Sequence, residues 1–169
     1  MIERPEYIQQ ITPFAGKKII KVLVGVRRCG KSTLLDLLRE QLQREHLAGD
    51  NLLHMRFESE QFTHIDTDDK LASYVREHID RTKPVTLLFD EIQEVDHWER
   101  ALRSFLVDYD ADIYITGSNA RVLSSDLATY ITGRYVTINV YPLSFKEFLP
   151  AFQSSHPDSD VRGAFRGYV

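Results

Sequence analysis

The stretch GVRRCGKST, residues 25–33, constrains the fold of this chain more than any other feature of its sequence. The run before it, KIIKVLVG (18–25), is apolar and rich in β-branched residues, which predicts a buried strand. The run after it, KSTLLDLLREQLQREH (31–46), carries leucines at helical spacing and predicts a helix. Gly25 and Gly30 therefore bracket a tight loop between a strand and a helix, and this arrangement predicts a βα unit.

The loop has the residue types that bind phosphate. It matches the pattern G-x-x-x-x-G-K-[ST] in the strand–loop–helix context that the pattern requires, which disfavours the alternative of a turn that binds nothing. Its glycines let successive backbone N–H groups point at phosphate oxygens, and the first turn of the helix adds more N–H groups. Lys31 can reach the β- and γ-phosphates, Ser32 can ligate Mg²⁺, and Thr33 can bind the α-phosphate. We assign the nucleotide to the whole loop, which consists of Gly25, Val26, Arg27, Arg28, Cys29, Gly30, Lys31, Ser32 and Thr33.

Three residues at variable positions of this loop keep two interpretations each. Arg27 and Arg28 either contact phosphate or a neighbouring subunit, or they are solvated surface charges, and we favour the solvated interpretation. Cys29 is expected to fill space beside Gly30. The alternative for this cysteine is a redox role in which its oxidation blocks the entry of phosphate.

The rest of the chain alternates between apolar strand patterns and helical patterns. Further strands are predicted at 51–59, 83–92, 111–119 and 133–143, and further helices at 66–82, 97–109, 120–129 and 144–152. Such alternation predicts an α/β fold in which helices cover both faces of a parallel sheet. Ligands of these folds bind beyond the carboxyl ends of the strands, and the chemically distinctive residues of this sequence follow strand ends.

The strand VTLLFDEI ends in two adjacent acids, Asp90 and Glu91. In proteins with this phosphate loop, such a strand supplies an acid to the Mg²⁺ shell, so we expect Asp90 to join Ser32 at the metal. Glu91 can act as a general base that polarises the attacking water. This second acid favours hydrolysis over transfer of phosphate to a substrate, and an accidental pair of acids is the alternative.

Two other positions are candidates for catalysis. The strand IYITGSNA ends in Ser118 and Asn119, and an amide there can hold the attacking water or the γ-phosphate. Asn119 is the first choice and Ser118 the second, while a cap of the next helix is the alternative. Arg134 precedes a later strand and could deliver positive charge to a γ-phosphate, within one chain or between two, or it could be a surface arginine.

Composition excludes several classes of protein. The net charge of −4 argues against a domain that grips nucleic acid through bulk charge, although a local basic stripe stays possible. With one cysteine the chain has no internal disulfide, and the six histidines show no metal-binding spacing. The N-terminus does not read as a secretory signal, and no run is apolar and long enough for a membrane span. We expect a cytoplasmic protein with no membrane association.

With these motifs the chain resembles the AAA-type P-loop ATPases of bacteria and archaea that carry a C-terminal domain of unknown function. The resemblance rests on the segments RPEYIQQI, GVRRCGKSTLL, LLFDEIQEVDHWERALRSF, YITGSNARVLSSDL and TGRYVTINVYPLSFKEFL. It implies a three-layer P-loop NTPase whose parallel five-stranded sheet has the order 5-1-4-3-2, the type with an additional strand and a catalytic glutamate. It also implies ATP as the nucleotide and places Arg4 and Tyr7 near the adenine.

The resemblance gives expectations for domains and partners as well. Residues 1–155 are expected to form the ATP-binding domain and residues 156–169 to begin a C-terminal region that continues beyond Val169. We expect Mg²⁺-dependent ATP hydrolysis that drives a conformational change on a protein or nucleic-acid partner, and homo-oligomerisation is an open possibility. The alternatives are a slow nucleotide-dependent regulatory switch and a DNA-associated ATPase whose DNA-binding part lies in that C-terminal region.

Overall fold

A computed structural model describes residues 2–45, 47, 49–118, 131, 133–157 and 160–168. Its strands are β1 (Ile20–Gly25), β2 (Leu52–Arg56), β3 (Val85–Asp90), β4 (Ala111–Ser118) and β5 (Tyr135–Asn139). Its α-helices are α1 (Pro5–Ile11), α2 (Lys31–Arg44), α3 (Asp68–His78), α4 (Trp98–Asp108), α5 (Phe145–Ser155) and α6 (Val161–Tyr168). Two short 3₁₀ helices, Thr12–Phe14 and Ile92–Glu94, follow α1 and β3.

The five strands form one parallel sheet in the order β2-β3-β4-β1-β5. This is the expected order 5-1-4-3-2 counted from the other edge, so the predicted fold class is confirmed. β4 lies between the strand that leads into the phosphate loop and the strand that carries the acid pair. In register, Gly25 pairs with Ser118, and Phe89 pairs with Ile115. The carboxyl ends of these three central strands therefore meet at one edge of the sheet.

Helices cover both faces of the sheet and bury two apolar clusters. On one face, α3 and α4 pack against the alternate strand residues that include Val22, Leu87 and Ile113. On the other face, α1 and α2 pack against Leu23, Leu88 and their neighbours. Burial on both sides explains why the central strands read as continuous apolar runs.

The α2 face of the sheet also holds buried polar residues at both ends of the strands. At the amino ends, the Lys21 ammonium pairs with Asp112, which also accepts a hydrogen bond from the Tyr114 hydroxyl at 2.9 Å. Burial lowers the pKa of Lys21, although the attraction of Asp112 opposes this effect. At the carboxyl ends, Asp90 and Thr116 occupy the same face, beside the start of α2.

Secondary structure differs from the sequence predictions mainly at the chain ends. The hydrophobic pattern does not predict helix α1, although Pro5 at its first position is typical of a helix start. The predicted C-terminal helix at 144–152 extends to Ser155, and α6 follows and packs its Phe165 and Tyr168 against Phe145 of α5. The helix predicted at 120–129 lies outside the described residues.

Candidate active site

Two positions of the loop after β1 require glycine, one because of neighbouring atoms and the other because of its backbone conformation. A Cβ at Gly25 would lie 2.2 Å from the Val140 carbonyl oxygen and 2.6 Å from the Cys29 sulfur, so no side chain fits there. Gly30 has a φ of +91°, in the left-handed region that other residues adopt only with strain. These two constraints fix the path of the loop from the end of β1 to the start of α2.

The loop leads into an uncapped helix N-terminus. Helix α2 begins at Lys31, and in the described part of the chain no side chain hydrogen-bonds to its first amides as a cap. The first N–H groups of an α-helix have no intrahelical acceptor, and the helix dipole places partial positive charge there. An anion held by the loop would therefore meet backbone donors as well as a side-chain cation, which fits the phosphates of a nucleotide.

Lys31 places its ammonium inside this loop. The side chain is nearly fully buried, and its Nζ lies 3.4 Å from the Gly25 carbonyl oxygen and 3.3 Å from that of Val26. The same Nζ lies 3.5 Å from Glu91 Oε1, across the edge of the sheet. A buried ammonium is stable only with anionic or hydrogen-bonding partners, and here these are the loop carbonyls and the second acid of β3.

Asp90 at the end of β3 is the centre of a small hydroxyl cluster. Its Oδ1 accepts a hydrogen bond from Ser32 Oγ at 3.1 Å and another from Thr116 Oγ1 at 2.5 Å. Asp90 is only 5% exposed. A buried carboxylate beside a serine hydroxyl offers the hard oxygen ligands that Mg²⁺ prefers. In proteins, Mg²⁺ usually completes its coordination shell with waters and substrate phosphates. Ser32 and Asp90 therefore fit the expected metal position.

Glu91 adopts a left-handed backbone with φ +55° and ψ +52°. For a residue with a Cβ, this conformation costs about 1–2 kcal/mol. Its amide donates to Thr116 Oγ1 at 2.9 Å, and its Oε2 accepts a hydrogen bond from Gln93 Nε2 at 2.6 Å. Strain of this kind collects at functional sites, because the surrounding contacts must hold it.

A charged cluster flanks the acid pair at the β2 edge of the sheet. Arg56 lies opposite Asp90 in the β2–β3 register and forms an ion pair with Asp36 of α2. Nearby His54 lies 3.9 Å from the same Asp36 carboxylate, and burial lowers the pKa of this histidine despite the attraction of Asp36. The lowered pKa favours the neutral form of His54 at neutral pH, and Arg56 supplies the positive charge of the ion pair with Asp36.

A family model of the AAA domain matches residues 17–149 of this chain. The chain belongs to this AAA domain family. The matched range begins just before β1 and ends within α5, so that it includes the phosphate loop, the acid pair and the whole sheet. The chain thus contains a nucleotide-binding module of the ATPase type.

Relatives with sequence similarity to this AAA domain come from a bacterium and an archaeon. An uncharacterised protein of Haemophilus influenzae is 43% identical over 152 residues, which are 89% of this chain and 38% of that protein. An uncharacterised protein of Methanocaldococcus jannaschii is 38% identical over 130 residues, which are 77% of this chain and 28% of the relative. The chain thus spans less than half of the length of either relative.

Solved structures with this fold include a DNA replication initiation factor, DnaA and a multi-protein complex. The AAA domain is similar to a crystal structure of a DNA replication initiation factor (TM-score 0.54, 14% identical, 90% of this chain and 49% of that chain). It is also similar to AMPPCP-bound DnaA from Aquifex aeolicus (TM-score 0.52, 11% identical, 92% and 50%). A third similarity is to a chain of the HORMA:CdnC:Trip13 complex of E. coli MS115-1 (TM-score 0.63, 11% identical, 91% and 68%). At these identities the similarity concerns the fold.

The variable residues of the phosphate loop in this AAA domain take different environments. Arg27 is 87% exposed and lies 3.7 Å from the exposed Glu58, as the solvated interpretation expects. Arg28 is also exposed and has a φ of +65°. Cys29 is buried in the apolar cluster between the sheet and α2, as a residue that fills space. Val26 is exposed and Thr33 is half-buried in the first turn of α2.

Arg4 contacts the outer side of the phosphate loop. Its Nη1 donates to the Cys29 carbonyl at 3.0 Å, its Nη2 donates to the Tyr141 carbonyl at 2.9 Å, and its Nε pairs with Glu147 at 2.8 Å. The guanidinium also stacks 4.4 Å from the centre of the Tyr7 ring. Partial burial raises the pKa of the Glu147 carboxyl, but hydrogen bonds from Arg4 and the Ser144 N-cap outweigh it and lower that pKa below its ordinary value. The expected proximity of Arg4 and Tyr7 to adenine stays a prediction.

Of the remaining candidates, Arg134 is the one that the structure describes with its side chain. Asn119 and the side chain of Ser118 lie outside the described residues. Arg134 accepts a hydrogen bond on its carbonyl from the Ile20 amide, at the amino end of β1. With about 3.3 Å of rise per residue, the five steps from Ile20 to Gly25 separate the Arg134 backbone from the start of the phosphate loop by about 17 Å. This distance argues against action of Arg134 within its own chain, and action on a neighbouring chain stays a prediction.

Sequence reasoning missed Thr116 and Gln93, which both contact the acid pair. Thr116 is a polar residue within an apolar strand, two positions before Ser118 at the strand end. It lies opposite Asp90 only because β4 neighbours β3, which the motifs alone do not reveal. Among the described residues, no three His, Cys, Asp or Glu side chains form a metal-binding group, and no helix is long and apolar enough to cross a membrane.

Proposed function

We propose that this AAA domain binds ATP with Mg²⁺, hydrolyses it to ADP and phosphate, and uses the cycle to change the conformation of a partner. One observation carries the proposal: the Lys31 ammonium, the Ser32 hydroxyl and the acid pair converge at the carboxyl edge of the sheet. Lys31 Nζ lies 3.5 Å from Glu91, and Ser32 Oγ lies 3.1 Å from Asp90.

Each of these residues has a distinct part in the proposed reaction. The loop amides and Lys31 bind and orient the phosphates, and the buried surroundings strengthen this electrostatic attraction. Ser32 and Asp90 would hold Mg²⁺, which supplies neutralisation of phosphate charge. Glu91 accepts the proton of the attacking water as a general base. Phosphate at the loop competes with Glu91 for the Lys31 ammonium, and this competition frees the carboxylate for its role.

Two substitutions separate binding from hydrolysis. Glu91→Gln removes the base but keeps the shape, so we expect nucleotide affinity to persist while steady-state phosphate release falls by about 10²- to 10⁴-fold. Lys31→Ala is expected to weaken the binding of ATP itself. Glu77→Gln on the exposed side of α3 is the matched control, and it should leave both quantities unchanged.

Calorimetry on the protein with magnesium supplies the decisive check. An absence of binding heat with both ATP and AMPPCP would refute the proposal. Tight binding with phosphate release that Glu91→Gln does not lower would instead support the slow regulatory switch. A salt-dependent DNA titration tests the DNA-associated alternative, because contacts with DNA phosphates release counterions and weaken as salt rises.

A further inference from the structure

Thr116 lies near the carboxyl edge of the sheet, between the strand that leads into the phosphate loop and the strand that carries the acid pair. It is fully buried on β4, between β3 and β1, and its register partner on β1 is Leu23. Its side chain is on the α2 face of the sheet, the face that Asp90 also occupies. No part of the phosphate-loop motif or of the acid pair includes this residue.

The Thr116 hydroxyl makes two hydrogen bonds of opposite sense. It donates to Asp90 Oδ1 at 2.5 Å and accepts from the Glu91 amide at 2.9 Å. A hydroxyl is a small group that can donate and accept at once, and serine shares this ability whereas valine does not. One side chain therefore contacts both acids, the first through its carboxylate and the second through its backbone.

The second bond holds the turn that brings Glu91 to the phosphate loop. In a regular strand, successive side chains point to opposite faces, so Glu91 would face α3 and α4 while Asp90 faces α2. The left-handed conformation of Glu91 breaks this alternation, and its carboxylate lies 3.5 Å from Lys31 Nζ on the α2 side. The Glu91 amide, which donates a hydrogen bond to the Thr116 hydroxyl, belongs to this turn.

We propose that Thr116 is a positioning residue that sets the orientation of the metal-binding carboxylate and of the catalytic base together. This inference rests on the proposed ATP hydrolysis and identifies a residue outside its motifs. Loss of the hydroxyl leaves the phosphate loop and Lys31 in place. It therefore lowers the rate of hydrolysis more than the affinity for nucleotide.

Thr116→Val and Thr116→Ser test this proposal, with Thr86→Val as the matched control. Thr86 is a buried threonine on β3, at the opposite end of the sheet from the site. Residues that orient a ligand of the metal typically contribute about 10- to 100-fold, so Thr116→Val should lower kcat by about that factor. Its Kd for AMPPCP without magnesium should change less than about threefold. The Mg²⁺ concentration that gives half-maximal turnover should rise. Thr116→Ser and Thr86→Val should keep kcat near that of the wild type.

The outcomes distinguish the positioning role of Thr116 from the proposed ATP hydrolysis on which it rests. If the wild type hydrolyses ATP and Thr116→Val has the same kcat, the positioning role is refuted while the proposed hydrolysis stands. Equal losses in Thr116→Val and Thr116→Ser, or in Thr116→Val and Thr86→Val, refute it as well, because packing would then explain them. If the wild type releases no more phosphate than Glu91→Gln, the proposed hydrolysis fails and the positioning role fails with it. A further check is amide hydrogen exchange, which should accelerate at Glu91 in Thr116→Val and stay slow in Thr116→Ser.

Discussion

At the scale of single residues, the first glycine of the phosphate loop is required by what surrounds it. Gly25 is the last residue of β1, and its φ is not in the left-handed region. The Val140 carbonyl oxygen, just beyond the end of β5, excludes a side chain because it would lie 2.2 Å from a Cβ at this glycine. The motif and the packing of the sheet edge therefore impose the same residue for different reasons.

Gly25→Ala is predicted to destabilise the fold and to weaken ATP binding. The added methyl would lie 2.2 Å from a backbone oxygen, so the loop or β5 must move. Overpacking of this kind costs about 1–3 kcal/mol, measurable as the free energy of unfolding in urea. Gly49→Ala is the control, because nothing lies within 4 Å of a Cβ at that exposed glycine. Equal effects of the two substitutions would contradict the steric argument.

The role of a residue was predictable from the sequence where a motif specifies it. It was not predictable where the order of the strands brings the residue to the site. Lys31, Ser32 and Asp90 stand at fixed positions relative to a strand and a helix, so the sequence alone indicates their proximity. Thr116 and Gln93 reach the acid pair through the order of the strands and through a left-handed turn at Glu91. Neither of these features has a local signature, because glutamate is not a residue that favours that turn.

At the scale of secondary-structure elements, Arg4 connects three segments that are distant in sequence. It precedes α1, contacts the phosphate loop through the Cys29 carbonyl, and pairs with Glu147 in the first turn of α5. Glu147 in turn forms a capping box with Ser144 at the start of that helix. Arg4 thus connects the N-terminal segment and the helix after β5 to the phosphate loop.

Arg4→Met is predicted to destabilise the protein by about 2–3 kcal/mol. Breaking a fully buried ion pair costs about 3–5 kcal/mol, and the cost here is lower because the Glu147 side chain is 22% exposed. The control is Lys146→Met, since Lys146 pairs with Glu6 at 3.7 Å with both side chains largely exposed. That exposed pair should contribute less than about 1 kcal/mol.

The same ion pair gives a pH dependence with a defined sign. The pKa of Glu147 is lower in the folded chain than its ordinary value of 4.5, so its stabilising effect is fully present above that pH. It is lost as the pH falls through the lowered pKa, because the carboxyl must then be protonated. Urea unfolding at neutral pH and at acidic pH should therefore show the Arg4→Met difference shrink in acid. A difference that stays constant with pH would show that packing, and not charge, carries the effect.

At the scale of the whole molecule, the two ends of the sheet differ in chemistry. The carboxyl ends hold the phosphate loop, the acid pair and Thr116, whereas the amino ends hold the buried Lys21–Asp112 pair and Arg134. This polarity follows from a parallel sheet, in which every strand presents the same end to the same edge. The order of the strands required the family resemblance, because periodicity shows which segments are strands but not which strands are neighbours.

Arg134→Ala tests whether one molecule is a complete enzyme. Because the Arg134 backbone lies about 17 Å from the start of the loop, measured along β1 at about 3.3 Å per residue, we expect turnover per site to be unchanged in dilute protein. If chains assemble so that Arg134 of one contacts the phosphate of another, wild-type turnover will rise with protein concentration and the variant will lack this rise. The gain from such an arginine can reach about 10³-fold or more. Turnover measured across a dilution series, with sedimentation of the same samples, distinguishes the cases. A loss in the variant at concentrations where the chain is monomeric would contradict the geometry and indicate action within one chain.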